Sequence, residues 1–306
     1  PIIPAIMDYR MLSKLKSTYA DGLMKQIGSD GRIHTTFQNL VTATGRLSSA
    51  EPNLQNIPVR TDLGAEIRKM FVPREGCVLV DADYSQIELR VLAHMAQDEA
   101  MQRSFREGTD IHTVTAAQVF GVKPEEVTPL QRRHAKAVNF GIVYGISEFS
   151  LAEDIGVSRY EAKAYIDSYL NTYPGVRSYM KQVVRQAREL GYTQTLYGRR
   201  RYIPELSSSN FNIRSGAERI ALNTPIQGTA ADIIKLAMLR VDAALRQSFP
   251  EARLLLQVHD ELIVECPKEQ AQAVAQLVSQ QMESAAQLDV PLTAEAKIGK
   301  SWYEAK

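Results

Sequence analysis

The stretch DADYSQIELR, residues 81–90, follows an apolar run at 78–80 and decides how the fold is interpreted. The apolar run is typical of a buried strand, and the residues after it have the spacing of a helix. A buried strand rarely ends in acids such as Asp81 and Asp83, and Glu88 lies near the start of the helix after it. Acids at these positions therefore suggest a functional role.

Composition predicts a soluble globular chain with a substantial core. The chain has 306 residues, 44% of them hydrophobic, with a mean hydropathy of −0.23. This length allows two domains or one large one. The sequence shows neither an apolar run long enough to span a bilayer nor a secretory signal. It opens with PIIPAIMDYR and no initiator Met, which indicates a fragment or a processed product.

Charge and cysteine content exclude little. The net charge is +1, from 36 basic and 35 acidic residues, so a nucleic-acid footprint would have to be local. The two cysteines, Cys77 and Cys266, have no metal-site or redox spacing. They are interpreted as small apolar residues of a protein in a reducing cytoplasm.

The first third of the chain changes from a helical pattern to one of short strands and loops. Apolar residues at helical spacing predict a helix that ends near Gly22. Residues 30–58 are rich in Thr, Ser, Asn and Gly, which predicts short strands and long polar loops. The segment GCVLVDAD, residues 76–83, then predicts a strand.

The middle of the chain is predicted to be helical. Thr109 is the expected cap of one helix. The sequence TPLQ at 128–131 is a capping box with proline in the first helical position, and its helix should run to about Tyr144. A second capping box lies at 158–161, and Pro174 should close the helix that it starts.

The last third combines helices with a strand pair. A helical stretch at 217–246 is expected to be interrupted at Pro225 and Gly228. RLLLQV and ELIVE then predict two strands joined by the pair His259-Asp260, which is not a favoured hairpin turn and so is a place to look for function. A helix over about 269–286 should finish the domain. The order predicts an α+β fold split by a helical insertion.

Asp83 and Asp260 are candidate metal ligands because both lie at predicted strand ends. If the strands belong to one sheet, the two carboxylates would meet and repel, and a hard cation such as Mg²⁺ would remove the repulsion. The alternative is that each is an ordinary turn residue. The adjacent acids Asp81 and Glu261 could be ligands or solvated neighbours, and we favour solvated neighbours for both.

Four side chains of the capped helix recur every four residues: Arg132, Lys136, Phe140 and Tyr144. They form one stripe that is cationic at its start and aromatic at its end, which suits a ligand with phosphates and a flat ring. The alternative is a surface helix with a solvated basic face and buried aromatic rings.

Further polar residues have open interpretations. The cluster at 199–201 could bind phosphates or be solvated charge. Arg219, Asn223 and Gln227 could donate to minor-groove acceptors or satisfy backbone freed by the proline. Arg46 lies in a polar loop and is ambiguous alone.

Three blocks resemble the polymerase motifs of the family A DNA polymerases, in the order found there: DYSQIELR, RRHAKAVNFGIVYG and QVHDELIVE. TATGRLSSAEPNLQNIP and NTPIQGTAADIIK are similar to further blocks of that family. The resemblance covers essentially the whole chain and is strongest to the bacterial DNA polymerase I group, in particular its Bacillus-type large fragment.

The resemblance implies a right-hand architecture with an antiparallel palm sheet and a helical fingers insertion. Residues 1–23 would be the C-terminal end of a thumb, 24–93 and 194–306 the palm, and 94–193 the fingers. Most of the thumb and the exonuclease domain have no counterpart in the sequence. The missing portion could be a separate fragment or could have been cut away, and tight DNA binding is not expected from this chain alone.

The resemblance also implies roles for individual residues. Asp83 and Asp260 would hold two Mg²⁺ ions with the Tyr84 carbonyl, and Arg132 and Lys136 would join them in catalysis. Glu88 would lie under the sugar of the incoming nucleotide and exclude a ribose 2′-OH, which accounts for the third acid. The other nucleotide contacts would be His112, Arg132, Lys136, Phe140, Tyr144 and Gln86. The primer-template contacts would be Arg46, Arg219, Asn223, Gln227 and His259.

The implied activity is template-directed addition of dNTPs to a primer 3′-OH, with release of pyrophosphate, by a bacterial nucleoid enzyme that acts as a monomer. Two other functions stay open. A metal-dependent nuclease could use the same carboxylates, although it would leave the stripe from Arg132 to Tyr144 unexplained. A catalytically weak DNA-binding fragment that needs the missing thumb region is the second.

Overall fold

The structure is a computed structural model that describes residues 2–58 and 62–306. Its α-helices in chain order are α1 (Ile2–Lys14), α2 (Asp21–Met24), α3 (Asp62–Glu66), α4 (Ile87–Ala96), α5 (Glu99–Arg106), α6 (Ile111–Phe120), α7 (Pro129–Val143), α8 (Glu148–Ile155), α9 (Arg159–Thr172), α10 (Pro174–Leu190), α11 (Phe211–Ser248) and α12 (Ala271–Glu283). A π-helix at Leu15–Ala20 links α1 and α2. Short 3₁₀ turns lie at Leu54–Asn56, Ile67–Met70, Pro124–Glu126, Pro204–Ser207 and Lys268–Gln270.

The strands are β1 (Thr36–Gln38), β2 (Ser48–Ala50), β3 (Cys77–Tyr84), β4 (Tyr192–Gln194), β5 (Arg200–Tyr202), β6 (Arg253–Val258), β7 (Glu261–Pro267) and β8 (Ala294–Gly299). They form two short hairpins, β1-β2 and β4-β5, and a four-stranded sheet of order β6-β7-β3-β8. All neighbours in this sheet are antiparallel. The predicted strands at 76–83 and on both sides of His259-Asp260 are therefore confirmed.

Strand β8 was not predicted, because the helix over 269–286 was expected to finish the domain. The sequence AEAKIG alternates small and charged residues and lacks the β-branched run that marks a strand. It forms a strand because β3 offers it a free edge, and the pairing runs from Leu79↔Gly299 to Tyr84↔Ala294.

Backbone contacts divide the chain into two compact units. The first comprises residues 1–84, 234–285 and 293–306, and the second comprises 85–233 and 286–292. The first unit holds the four-stranded sheet, with α12 packed on β3 and β8. One cluster of its core joins β3 and β7 to the end of the chain and contains Tyr19, Leu23, Leu54, Ile57, Leu79, Val258, Ile263, Trp302 and Ala305. The division into thumb end, palm and fingers given above stays a prediction.

The second unit is helical, and its capping boxes form as expected. Thr128 and Ser158 each accept a hydrogen bond from the backbone N–H three residues on, and the side chains of Gln131 and Glu161 accept one from the backbone N–H of Thr128 and Ser158. The expected cap Thr109 is wrong by one residue. Asp110 caps α6 by accepting from the His112 backbone N–H, and the Thr109 hydroxyl instead donates to a carbonyl of the preceding turn.

Helix α11 runs without a break through Pro225, which corrects the expected interruption at Pro225 and Gly228. Proline cannot donate to the carbonyl four residues before it, here that of Ala221. The Thr193 hydroxyl donates to this carbonyl at 3.3 Å, and the Thr224 hydroxyl donates to the Ile220 carbonyl at 2.7 Å. The Thr193 side chain thus replaces the missing backbone bond, and the helix continues.

Candidate active site

The turn between β6 and β7 brings the two predicted metal ligands together. His259 adopts a left-handed backbone with φ of 53°, which lets two residues connect the strands. The Asp260 carbonyl accepts a hydrogen bond of 3.1 Å from the Tyr84 backbone N–H, at the end of β3. Asp83 pairs in register with Glu261. Two aspartates that are far apart in sequence therefore lie at one end of the sheet.

The electrostatics of this pair favour a cation. Burial raises the pKa of Asp260 to about 7, and the neighbouring charge of Asp83 acts in the same direction. The Asp83 Oδ1 atom is buried and has no hydrogen-bond partner, while Oδ2 accepts from the Lys306 ammonium at 3.1 Å. Lone pairs without donors and a carboxyl that resists ionisation are the conditions that a bound divalent cation relieves.

Asp81 and Glu261 are buried, so the expectation that they are solvated neighbours is wrong. Each is 3% exposed. Burial raises the pKa of Asp81 to about 7, and Glu261 adds to the shift. Burial also raises the pKa of Glu261, although its hydrogen bond from Lys306 opposes this. Consecutive residues of β3 from Val78 to Ala82 are buried, so both faces of this strand are covered at Asp81, and Glu261 lies on the neighbouring strand β7.

Two cations that sequence reasoning missed offset this buried charge. Lys306 hydrogen-bonds Glu261 as well as Asp83, and these acids raise its pKa although burial opposes the charge. Arg68 is 5% exposed, lies 3.9 Å from the Glu261 carboxylate and stacks on the Trp302 ring at 4.2 Å. The sequence around Lys306 and Arg68 does not indicate that they pair with buried acids, because those acids are distant in sequence.

The residues present fit a metal held by few side chains. Across residues 2–58 and 62–306, no three His, Cys, Asp or Glu side chains are grouped so that they could hold an ion. The carboxylates of Asp83 and Asp260 would be the side-chain ligands, and a backbone carbonyl such as that of Tyr84 is a suitable third donor.

Helix α7 presents the predicted stripe. Arg132, Lys136 and Tyr144 are exposed and Phe140 is half-buried. The Lys136 ammonium lies 5.9 Å from the centre of the Phe140 ring. The Arg132 Nε donates to the Asp110 carboxylate at 2.6 Å. Burial opposes the charge of Asp110, yet its hydrogen bonds from Arg132 and Thr113 lower its pKa to about 2.

His112 lies on α6, in contact with the aromatic part of the stripe. It is 2% exposed, and its ring centre is 5.8 Å from that of Phe140. Its Nδ1 atom lies 2.9 Å from the side-chain nitrogen of Asn139. Burial lowers the pKa of His112 to about 4, and Arg132 and Lys136 act in the same direction against the opposing effect of Asp110. His112 is therefore neutral at physiological pH.

Glu88 and Tyr144 are joined directly, which the sequence did not predict. The Tyr144 hydroxyl donates to the Glu88 carboxylate at 2.8 Å. Glu88 is 6% exposed and lies in the first turn of α4. Gln86 precedes this helix in a left-handed conformation with φ of 56°.

The predicted DNA contacts are distributed over both units. Arg219, Asn223 and Gln227 follow one another along α11, with Arg219 exposed and the other two half-buried. The Asn223 side-chain oxygen is buried and has no hydrogen-bond partner. In the first unit, Arg46 is half-buried and His259 is exposed. Their contact with DNA stays a prediction.

The basic cluster at 199–201 is partly structural. Arg199 makes two hydrogen bonds to the Asp232 carboxylate, at 2.9 and 2.6 Å, and Arg201 donates to the Thr224 hydroxyl. Arg200 stacks on the Tyr192 ring at 4.7 Å. Two of the three guanidinium groups thus have protein partners on α11.

Comparisons with known proteins agree with these features. Residues 1–304 match the family described as DNA polymerase family A. DNA polymerase I of Streptococcus pneumoniae is 55% identical over 308 residues, which are 100% of this chain and 35% of that protein. DNA polymerase I of Bacillus subtilis is 55% identical over 307 residues, with the same coverage. This chain thus spans about a third of the length of the curated relatives that it matches.

A solved structure has the same fold. The POL domain of Pol1 from M. smegmatis, in complex with DNA primer-template and dNTP, superposes with a TM-score of 0.95 at 49% identity, covering 100% of this chain and 54% of that one. The predicted α+β polymerase fold is confirmed. Among the described residues, no helix has both the length and the apolar character needed to cross a membrane. A family match over nearly every residue, supported by this fold, shows that the chain belongs to DNA polymerase family A.

Proposed function

We propose that this chain is the catalytic portion of a template-directed DNA polymerase. It would add dNTPs to the 3′-OH of a primer and release pyrophosphate. The observation that carries the proposal is the meeting of Asp83 and Asp260 at one end of the sheet, since a nucleotidyl transfer needs carboxylates that hold divalent cations. Family membership and the resemblance of the fold to a POL domain support the reaction class.

Asp83 and Asp260 would hold two Mg²⁺ ions, with the Tyr84 carbonyl as a further ligand. When bound, the ions would activate the primer 3′-hydroxyl and stabilise charge on the leaving pyrophosphate. The neighbouring cations Lys306 and Arg68 would keep the remaining buried acids from adding to the charge at the ligands. The rigid sheet fixes the ligand positions, because β3 is paired on both sides.

The second unit would bind the incoming nucleotide. Arg132 and Lys136 are exposed cations one helical turn apart, so they can contact successive phosphates. Lys136 can also transfer a proton to the leaving pyrophosphate. Phe140 would stack against the sugar and base, with His112 at the phosphates, and Gln86 and Tyr144 nearby. Glu88 would exclude the ribose 2′-OH.

The primer-template would be contacted by Arg46, Arg219, Asn223, Gln227 and His259. These residue types supply hydrogen-bond donors for phosphates and minor-groove acceptors. The proposal assigns no exonuclease activity to this chain. It treats the chain as a monomer on DNA, with the thumb, palm and fingers divided as the family resemblance implies.

Primer extension tests the proposal directly. The purified chain is mixed with a 5′-labelled primer on a longer template, the four dNTPs and MgCl₂. Lengthened products are expected, and Asp83→Asn or Asp260→Asn should abolish them. Asp154→Asn is the matched control, because this aspartate is exposed on α8 and lies outside the proposed site.

The same assay separates the alternatives. Shortened primers that depend on Asp83 would indicate the metal-dependent nuclease. An unchanged primer, with retained DNA binding, would favour the weak fragment. In that case the part of the Bacillus subtilis relative that lies outside the matched region is added as a second polypeptide. Failure to extend even then would overturn the proposal.

A further inference from the structure

We propose that Asn139 is a positioning residue that holds His112 with Nδ1 as a hydrogen-bond acceptor. The single ring proton is then on Nε2, which donates a hydrogen bond to a phosphate of the nucleotide. The inference rests on the proposed function, in which His112 contacts the triphosphate. It adds Asn139, a buried residue of α7 that is not part of the stripe formed by Arg132, Lys136, Phe140 and Tyr144.

The geometry is a buried chain of hydrogen bonds that joins three helical segments. The Asn139 amide nitrogen lies 2.9 Å from His112 Nδ1, and its amide oxygen accepts from the Thr115 hydroxyl at 3.1 Å. The Thr115 hydroxyl is also 3.3 Å from the Tyr173 hydroxyl. Asn139 is 0% exposed, and Thr115 and Tyr173 are each 1% exposed. Water therefore has no access to rearrange these bonds.

The donors and acceptors of this chain can be ordered. Burial raises the pKa of Tyr173 to about 12, so its hydroxyl keeps its proton and can donate to Thr115. Thr115 then donates to the Asn139 oxygen, which leaves the Asn139 N–H₂ group facing His112. An N–H donor requires a lone pair on Nδ1. The ring proton of a neutral His112 must then be on Nε2, to which no residue in the described parts of the chain hydrogen-bonds.

The position of this proton matters because His112 carries only one. Its pKa is lowered to about 4 by burial, with Arg132 and Lys136 acting in the same direction and Asp110 against them. A neutral ring with the proton on Nδ1 would present a lone pair to an anionic phosphate and repel it. With the proton on Nε2, the same ring is a donor. A buried amide with a packing role alone would not favour one of the two neutral tautomers of His112 over the other.

The first experiment observes the tautomer without nucleotide or DNA. Protein with ¹⁵N-labelled histidine is recorded by long-range ¹H–¹⁵N NMR, which distinguishes Nδ1–H from Nε2–H, and His112→Gln identifies the His112 signals. The expected result is an Nε2–H ring that stays neutral at pH 6. An Nδ1–H ring in the parent protein overturns the proposal, whatever the activity of the enzyme.

The second experiment is a double-mutant cycle on dNTP affinity. Asn139→Leu should weaken dNTP binding to the parent roughly tenfold, the loss expected for one oriented hydrogen bond to a charged group. In the His112→Gln background the same change should have little further effect. Additive losses would overturn the proposal, because Asn139 would then act on something other than His112. Gln102→Leu is the matched control, since it removes a buried amide that bonds the Ala93 carbonyl at 3.2 Å.

Asn139→Asp provides a signature that a purely structural role would not give. A carboxylate at this position still accepts from Thr115 but draws the histidine proton to Nδ1 and raises the pKa of the ring. Relative to the parent, dNTP affinity of this variant should therefore improve as the pH falls from 8.5 to 6.5. A constant ratio across this range, with the variant folded, would contradict the proposal. No dNTP binding by the parent, together with the expected tautomer, would instead mean that the proposed function is wrong.

Discussion

Removal of the Glu88 side chain should relax the exclusion of ribonucleotides. Glu88 is held in place from two sides: it belongs to the first turn of α4, and its carboxylate accepts the Tyr144 hydroxyl at 2.8 Å. At 6% exposure it has little room to move. A ribose 2′-OH that needs this space must displace the carboxylate and break its hydrogen bond.

The size of the effect follows from that bond. A hydrogen bond to a charged group contributes roughly 1.5–3 kcal/mol, and about 1.4 kcal/mol corresponds to a factor of ten. Glu88→Ala abolishes both the obstacle and the bond, so the preference for dNTP over rNTP should fall on the order of 10- to 100-fold. Tyr144→Phe keeps the carboxylate but frees it to move, so it should relax the preference by a smaller factor.

The assay measures kcat/KM for one dNTP and for the matching rNTP opposite the same template base. Each variant is compared with the parent and with Glu99→Ala, which removes an exposed carboxylate from α5. Equal discrimination between dNTP and rNTP in the Glu88→Ala variant and the parent would refute the proposal that Glu88 excludes the ribose 2′-OH. Greater relaxation in Tyr144→Phe than in Glu88→Ala would show that the tyrosine acts on the sugar by another route.

Three further predictions address other parts of the chain. Phe140→Tyr should improve the use of dideoxynucleotides, measured by chain termination, and no gain would count against the stacking role. Lys136→Arg should slow the chemical step in single-turnover kinetics, and an unchanged rate would argue against proton transfer. Glu265→Gln should cost about 2 kcal/mol of unfolding free energy at pH 7 in urea titrations, because the buried carboxylate accepts three hydrogen bonds from Arg74 and Arg32. Burial opposes ionisation of Glu265, yet these bonds lower its pKa. The contribution of Glu265 to the free energy of unfolding is therefore present above pH about 4.5 and is lost as the pH falls through the folded pKa. The parent should lose more stability on acidification than the variant.

The sequence predicted the parts of the site that depend on local pattern. Capping residues and helical spacing determined α7, so the stripe from Arg132 to Tyr144 could be recognised from the order of the residues alone. The strand ending at Asp83 and the turn at Asp260 were equally local signals. Their meeting could be argued only if both strands joined one sheet, and the pairing of β3 with β7 supplies that condition.

Burial of the acids could not be predicted in the same way. Asp81 and Glu261 resemble solvated turn residues in sequence, because acidic side chains at strand ends usually reach water. Whether they are buried depends on whether basic side chains from distant parts of the sequence are buried beside them. Lys306 is 223 residues from Asp83 and 45 from Glu261, and no periodicity links residues at such distances. Strand β8 was missed for the same reason, since its partner rather than its composition makes it a strand.

The continuity of α11 changes what its polar residues can do. Had the helix broken at Pro225, Gln227 would have left the face that carries Arg219 and Asn223. Because Thr193 replaces the donor that proline lacks, the four-residue spacing is kept and the three side chains stay on one side of a single helix. The sequence left open whether these three side chains contact DNA or satisfy the backbone groups that the proline frees, and the structure leaves them less reason to serve the backbone. Thr193 and Thr224 serve the backbone, and the buried, unpaired oxygen of Asn223 is left for another partner.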